Sequence, residues 1–124
     1  DCTQPVLLIQ SFRRLFLSSL GLTHGILQSP TNPSGFSFSV VIVARRPYTN
    51  FVTHTYMGRR FANEDEIFKA VKDEGDAQQV ELHHGLVDFA HLPFTRQVGL
   101  VAHADVLIGM HGAALATSIF QPPW

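Results

Sequence analysis

The stretch FSVVIVA at residues 38–44 decides the fold class, because it is an apolar, β-branched run with almost no polar interruption. Such a run is typical of a strand covered on both faces, as the central strands of parallel sheets are. It ends at Arg45-Arg46-Pro47, and the polar and aromatic stretch that follows as far as Gly58 has no clear period. We therefore expect a loop at the carboxyl end of this strand, where open α/β sheets hold their ligands.

Helical and linker patterns precede residues 38–44. Apolar residues spaced three or four apart predict a helix that ends at Gly21: Ile9, Phe12, Phe16 and Leu20. Arg13 and Arg14 lie in the middle of this helix, and we expect both on the surface. Residues 28–36 (QSPTNPSGF) are rich in proline, glycine and small polar residues, which predicts a linker into the sheet.

Alternating elements follow residues 38–44. Residues 63–66 (NEDE) combine an N-cap residue with acidic residues in a first turn, so we predict a helix that ends at Gly75. We explain these carboxylates by capping and by their interaction with the helix dipole. The later pattern predicts a short strand, an apolar edge, a helix, a strand and a final helix, at residues 80–82, 86–89, 94–103, 105–109 and 113–121. This order predicts a Rossmann-like α/β fold, a parallel sheet with helices on both faces.

Length and composition exclude several classes of protein. With 124 residues the chain makes about one domain, which we divide into a leading helix and linker (1–37) and a core (38–124). Its 9 Lys and Arg nearly balance 10 Asp and Glu, so bulk electrostatics give it no hold on nucleic acid. Cys2, the one cysteine, forms no internal disulfide, and the apolar stretch at 5–22 is too interrupted to span a membrane. Because the chain begins with Asp1 and stops just after a helix-ending signal, we interpret it as a fragment of a longer protein.

The strongest local signal is DVLIGMHGAAL at residues 105–115, where a buried strand passes through two glycines into an Ala-rich helix. Glycines let backbone approach a ligand closely, and a helix start directs N–H groups at an anion, so phosphate is the natural ligand. The alternative is that Gly109 and Gly112 only permit tight packing between strand and helix. His111 lies between them, where an imidazole could donate to a diphosphate oxygen or serve as a base.

Two arginine pairs flank this turn in the predicted fold. Arg45 and Arg46 follow the first strand, and Arg59 and Arg60 precede the next helix. The planar guanidinium matches phosphate oxygens, although a solvated loop charge is an equal alternative for each of the four. The chain has seven histidines, but His83-His84 are neighbours in a predicted strand and point to opposite faces, so we expect no metal site.

Four blocks of this sequence resemble glycosyltransferase family 61, in the order in which that family carries them. They are VVIVAR ending at Arg45, GRRFANEDEIFKAV from Gly58, GLVDFAHLPFTRQVGLVAHAD from Gly85, and IGMHGAALATSIFQPP from Ile108. Together they cover most of residues 38–123, and the MHGAAL block is the most specific. The stretch at 47–57 is longer than the resemblance leads us to expect.

The resemblance implies a GT-B enzyme with two Rossmann-like domains, of which this chain would be most of the C-terminal, donor-binding one. The implied reaction is inverting transfer of N-acetylglucosamine, xylose or a related pentose from a UDP-sugar to a protein or glycan hydroxyl, with no metal or other cofactor, in the endoplasmic reticulum or Golgi lumen. By matching position, the donor-binding residues would be Arg45, Arg59 and Arg60, with the turn formed by Met110, His111, Gly112 and Ala113. The catalytic base would lie in the N-terminal half, outside this chain.

Two other functions stay open from the residues themselves. The chain could be a non-catalytic nucleotide- or phosphate-binding module that keeps the glycine turn without a working acceptor half. It could also be a structural α/β domain whose glycines serve packing alone.

Overall fold

The computed structural model describes residues 3–22, 37–49, 51–58, 60–78, 81–83 and 85–122. The helices are α1 (Thr3–Ser19), α2 (Glu64–Ala77), α3 (Phe94–Ala102) and the four-residue α4 (Ala113–Ala116). The strands are β1 (Ser37–Ala44), β2 (Tyr48–Thr49), β3 (Tyr56–Met57), β4 (Glu81–His83), β5 (Leu86–Asp88) and β6 (Val106–Gly109). Single 3₁₀ turns lie at Phe89–His91 and Thr117–Phe120. The predicted linker at 28–36 lies outside the described residues.

Strand β1 is the centre of a parallel sheet. β4 and β5 pair with it in one common register, shown by Ser37 opposite Glu81 and Ile42 opposite Leu86, so they are two pieces of one edge strand. β6 also pairs with β1 in parallel, from Val40 opposite Val106 onwards. The strand order is therefore second, first, third along the chain, which confirms the predicted parallel α/β fold.

This strand order determines where a ligand can enter. The first crossover runs from β1 to the edge formed by β4 and β5, and the second runs from β5 back past β1 to β6. A crevice therefore opens beside the carboxyl ends of β1 and β6. In open α/β sheets of this order, ligands bind at that topological switch point. The loop after β1 and the turn after β6 are thus brought to one place.

The core surrounds β1 on both of its faces. Val41 and Ile42 point to opposite faces, and each is 0% exposed. This confirms the prediction of a strand covered on both sides. On the Val41 side the apolar cluster includes Phe89 and, from α3, Val101. At the edge strand formed by β4 and β5, the Phe68 ring of α2 packs against Gly85, where a Cβ would lie 2.8 Å from Phe68 Cε2.

Helix α1 forms an outer layer against α3 and the last 3₁₀ turn. Leu17 is buried with Val98, and the Phe16 and Phe120 rings stack with centroids 4.7 Å apart. The expectation that Arg13 lies on the surface is wrong, because its Nε donates to the Phe120 carbonyl at 2.8 Å and burial lowers the pKa of its guanidinium. The Phe120 carbonyl thus binds the half-buried guanidinium of Arg13. The spacing of apolar residues in the sequence does not distinguish Arg13 from its exposed neighbour Arg14.

Two predicted helix ends differ from the structure. Helix α2 continues through Gly75, which is buried within it, and ends only where the Gln78 N–H donates to the Glu74 carbonyl at 2.9 Å. The final helix is much shorter than predicted, because after Ala116 the chain tightens into a 3₁₀ turn. Thr117 marks this change, with its hydroxyl donating back to the Ala114 carbonyl.

The stretch at 47–57 contains an element that its lack of period did not reveal. β2 and β3 pair antiparallel, with Tyr48 opposite Met57 and Thr49 opposite Tyr56. The ribbon projects from the sheet, and Phe51 between its strands is 92% exposed. Strands of two residues are too short for an alternating pattern to be recognised.

None of the described helices is long and apolar enough to cross a membrane.

Asp105 fixes the start of β6 to β1. Its backbone N–H donates to the Ser39 carbonyl, and its Oδ2 accepts from the Ser39 N–H, both at 2.8 Å. Ser39 is 8% exposed, so its amide would have no water to replace that carboxylate. The carboxylate of Asp105 is therefore a structural acceptor within the sheet.

We expect Asp105→Ala to lower the free energy of opening of the β1–β6 pair by about 1–3 kcal/mol, because the Ser39 N–H loses its acceptor. Asp105→Asn keeps a carbonyl oxygen and should lose less. Hydrogen exchange of residues 37–44, followed by mass spectrometry, measures this. Asp76→Ala, at an exposed position of α2, is the control, and a loss there as large as at Asp105 contradicts the assignment.

Candidate functional site

A cleft of about 190 Å³ opens at the carboxyl ends of β1, β5 and β6. It lies at the switch point that the strand order defines, which is where the sequence predicts a ligand. Most of its wall is apolar, with two arginines and one carboxylate at the rim. The lining residues are Val43, Ala44, Arg45, Arg46, Tyr48, Asp88, Phe89, Ala90, Met110, Gly112, Ala113 and Ala114.

Arg45 crosses from the end of β1 to the turn after β6. Its Nη1 donates to the His111 carbonyl at 3.2 Å. The same nitrogen lies so close to Gly112 that a Cβ there would be 2.9 Å from it. Gly112 also has a φ of +151°, which side chains rarely adopt. The guanidinium therefore depends on a glycine at position 112, and one bond to a carbonyl leaves most of its five donors for a ligand.

The two glycines of the turn have different functions. A Cβ on Gly109 would lie 3.2 Å from Leu115 Cδ2 and 3.3 Å from Val43 Cβ, so this glycine permits tight packing of strand on helix. Gly112 instead admits the Arg45 guanidinium. The packing interpretation thus holds for Gly109, whereas Gly112 admits a side chain of the protein itself, and close approach of its backbone to a ligand stays a prediction.

Tyr48 forms the aromatic side of the cleft. It begins the β2–β3 ribbon, and its ring centroid lies 6.0 Å from Cζ of Arg45. A cation at this distance from an aromatic ring is weakly attracted by the ring quadrupole. Tyr48 therefore helps to orient the Arg45 guanidinium, a role that nothing in the local sequence pattern indicated.

Glu64 is a site residue that sequence reasoning missed. It is 9% exposed, accepts from the Arg45 N–H at 3.4 Å through Oε1, and pairs with Arg46 Nη1 at 2.5 Å through Oε2. The capping explanation is wrong for this carboxylate, whereas the helix-dipole explanation agrees with its place in the first turn of α2. The Asn63 side chain makes no cap hydrogen bond and donates instead to Glu66 Oε2 at 3.2 Å. The partners of Glu64 lie 18 and 19 residues away in the chain, beyond any local pattern.

The structure brings only some of the predicted donor residues to the cleft. Met110, Gly112 and Ala113 line it beside Arg45. His111 contributes its carbonyl, while its side chain is exposed and is not among the lining groups. Arg60 is exposed and likewise outside the described lining, and Arg59 lies outside the described residues.

The anion site expected at a helix start depends less on the helix than predicted. Helix α4 has four residues, too few for a substantial macrodipole. Its first turn is also partly satisfied internally, since the Leu115 N–H donates to the Gly112 carbonyl at 3.1 Å. The positive charge at this end of the sheet therefore comes mainly from Arg45.

Asp88 and Gln97 shape the third side of the cleft. Asp88 Oδ1 accepts from the Ala90 N–H at 3.0 Å, and Oδ2 lies 3.5 Å from His91 Nε2. Gln97 Nε2 donates to the carbonyls of Phe89 and Leu92, both at 2.8 Å. The carboxylate is thus used to cap its own turn, and Gln97 ties that turn to α3.

Metal-binding side chains do not cluster in the part of the chain that the structure describes. No group of three or more His, Cys, Asp or Glu residues there could hold an ion. The sequence predicts that His83 and His84, as neighbours in a strand, cannot chelate one ion together, and the structure does not test this. His84 and the His83 side chain lie outside the described residues.

These features define a Rossmann-like α/β unit with an arginine beside the cleft at its switch point. The model of the family described as Glycosyltransferase 61 matches residues 4–124. The chain therefore belongs to glycosyltransferase family 61. The resemblance of its sequence blocks to that family is confirmed.

Two curated relatives cover most of this chain. An EGF domain-specific O-linked N-acetylglucosamine transferase of Drosophila melanogaster is 34% identical in an alignment of length 112 that covers 80% of this chain and 20% of the relative. Beta-1,2-xylosyltransferase RCN11 of Oryza sativa subsp. japonica is 27% identical in an alignment of length 118 that covers 93% of this chain and 21% of the relative. The chain thus spans about a fifth of the length of these relatives.

We expect Gly112→Ala to weaken binding of inorganic diphosphate about tenfold, because the new Cβ displaces the Arg45 guanidinium. Calorimetric titration of the full-length protein measures this. Gly21→Ala is a matched control, since Gly21 also has a positive φ, +70°, but nothing lies within 4 Å of its added Cβ. Equal losses in both variants would show that backbone strain, not Arg45, is responsible.

Proposed function

We propose that this chain holds the diphosphate of a UDP-sugar for an inverting glycosyltransferase that glycosylates a hydroxyl of a protein or glycan. Membership of glycosyltransferase family 61 supports sugar transfer as the reaction class. The names of the fly and rice relatives specify N-acetylglucosamine and xylose, so we take these two sugars, or a related pentose, as the donor.

The observation that carries this proposal is the Arg45 guanidinium, held at Gly112 by the His111 carbonyl in a cleft at the switch point. Departure of UDP develops negative charge on the diphosphate. A pre-oriented guanidinium stabilises that charge without reorganisation at the moment of reaction. The backbone of Met110–Ala113 provides the surface against which a phosphate lies.

Further donor contacts belong to the same proposal. Arg59 and Arg60 precede α2 in the chain, and we assign both further contacts with the donor diphosphate. The His111 imidazole is exposed, and we assign it a further contact with the donor diphosphate. With arginines supplying the charge compensation, the proposed chemistry needs no metal or other cofactor.

The general base of an inverting transfer takes the proton of the attacking hydroxyl. Two carboxylates at or beside the cleft are already used, Glu64 by Arg46 and Asp88 by the Ala90 N–H. Asp105 lies at the other end of β6, where it accepts from the Ser39 N–H. We therefore place the base outside this chain, in an acceptor-binding half of a GT-B fold. From membership of the family we also propose that the reaction takes place in the endoplasmic reticulum or Golgi lumen.

We expect UDP to bind the full-length protein and Arg45→Ala to weaken that binding roughly ten- to hundredfold, because a charge-assisted hydrogen bond is lost. Calorimetric titration measures both affinities. Arg14→Ala, at an exposed position of α1, is the control and should bind as the unaltered protein does. His111→Ala tests the imidazole separately. No binding of UDP by the folded, unaltered protein contradicts the proposal.

We expect UDP affinity to be unchanged when a chelator is added, because arginine rather than a metal compensates the diphosphate. The same titration in the presence and absence of EDTA measures this. Loss of binding on chelation contradicts the metal-free part of the proposal. Binding of UDP without turnover of any UDP-sugar by the full-length protein would instead favour the non-catalytic nucleotide-binding module.

A further inference from the structure

Arg45 and Arg46 are neighbours at the end of β1, both line the cleft, and both are of the residue type that grips phosphate. Their surroundings differ. The Arg45 guanidinium bonds a neutral carbonyl, that of His111, and forms no ion pair with a carboxylate in the part of the chain that the structure describes. The Arg46 guanidinium is paired with the Glu64 carboxylate at 2.5 Å. Only one of the two arginines therefore presents a free positive charge to a ligand.

Glu64 joins the two arginines through different atoms. Oε2 takes the Arg46 side chain, while Oε1 takes the backbone N–H of Arg45 at 3.4 Å. Glu64 is the first residue of α2, so this carboxylate ties the start of that helix to the end of β1. Its position fixes the backbone from which the Arg45 side chain extends.

The burial of the pair is unequal, and this determines what each partner contributes. The Glu64 side chain is 9% exposed, whereas that of Arg46 is 52% exposed. A buried carboxylate without a partner is strongly unfavourable, so it turns towards water or another cation. Arg46 therefore keeps Glu64 in place on the Arg45 backbone and cancels its negative charge beside the cleft.

We propose that Arg46 and Glu64 are positioning residues for Arg45, and that Arg46 is not itself a ligand of the diphosphate. This inference rests on the proposed function, because it assigns roles within the same anion site. Of the two arginines, Arg45 alone then binds the diphosphate, and the ion pair of Arg46 with Glu64 holds Arg45 in position.

The two roles of Arg46 predict opposite results in a double variant. If Arg46 is a ligand, its loss weakens diphosphate binding whatever residue occupies position 64. If Arg46 neutralises and holds Glu64, Arg46→Gln weakens diphosphate binding because the Glu64 carboxylate is left without its partner. Removing that charge as well, with Glu64→Gln, restores binding, since two amides can hydrogen-bond and glutamine still offers an oxygen to the Arg45 N–H.

The experiment titrates UDP and uridine into the full-length protein and its variants. We expect Arg46→Gln to weaken UDP binding about tenfold, because an uncompensated carboxylate opposes the anion. Arg46→Gln with Glu64→Gln should return the UDP affinity to within about threefold of the unaltered protein. Uridine, which lacks phosphate, should bind all variants alike.

Arg46→Gln with Asp65→Asn is the matched control, because Asp65 is exposed on the same helical turn. It restores net charge but not the pair, so UDP binding should stay weak. Rescue by Asp65→Asn would assign the effect to net charge and overturn the inference. If Arg46→Gln with Glu64→Gln binds UDP no more tightly than Arg46→Gln alone, Arg46 is a ligand of the diphosphate. If Arg46→Gln leaves the UDP affinity unchanged, Arg46 has neither role. Either result overturns the inference.

Hydrogen exchange of the Arg45 amide tests the same inference without nucleotide. Exchange should be faster in Arg46→Gln than in the unaltered protein and should recover in the double variant with Glu64→Gln. If the unaltered protein binds no UDP, the proposed function fails while this pattern still decides the positioning roles. Equal exchange in all three proteins overturns them.

Discussion

The parallel pairing of β1 with a strand on each side is the constraint on which the rest of the structure depends. It buries Val41 and Ile42 on opposite faces, and it forces the next two connections to leave in opposite directions. The carboxyl ends of β1 and β6 are then left beside an open crevice rather than beneath a helix. The approach of Arg45 to Gly112 follows from this pairing, since Val43 lies opposite Gly109 in the register.

Much of this architecture could be predicted from local sequence, because the burial of a strand and the conformation of a turn depend on the types of consecutive residues. FSVVIVA predicts a central strand, and the turn at Met110–Ala113 predicts a ligand-facing edge. The lengths of the final helix and of α2 were wrong, since Gly75 is retained by backbone hydrogen bonding and Thr117 closes a tighter turn. Helix ends depend on such single contacts, which a pattern of residue types does not contain.

The site was harder to predict than the fold, because its charges are distributed by pairings distant in the chain. Four arginines looked equivalent in sequence, yet Arg45 bonds a carbonyl and Arg46 a buried carboxylate. Glu64 had a sufficient local explanation as a capping residue, and that explanation concealed its contacts with β1. For His111 the structure adds a carbonyl contact with Arg45, while the contact of its imidazole with a phosphate stays a prediction.

The β2–β3 ribbon departs just after Arg46 and returns before α2, two points that the Glu64 contacts hold together. Its strands pair only with each other, so none of the sheet registers passes through it. The free energy of closing a loop changes slowly with loop length. The ribbon is thus a modular insert beside the cleft, whose length and aromatic content can diverge among family members, or be exchanged by grafting, while the parallel sheet stays intact.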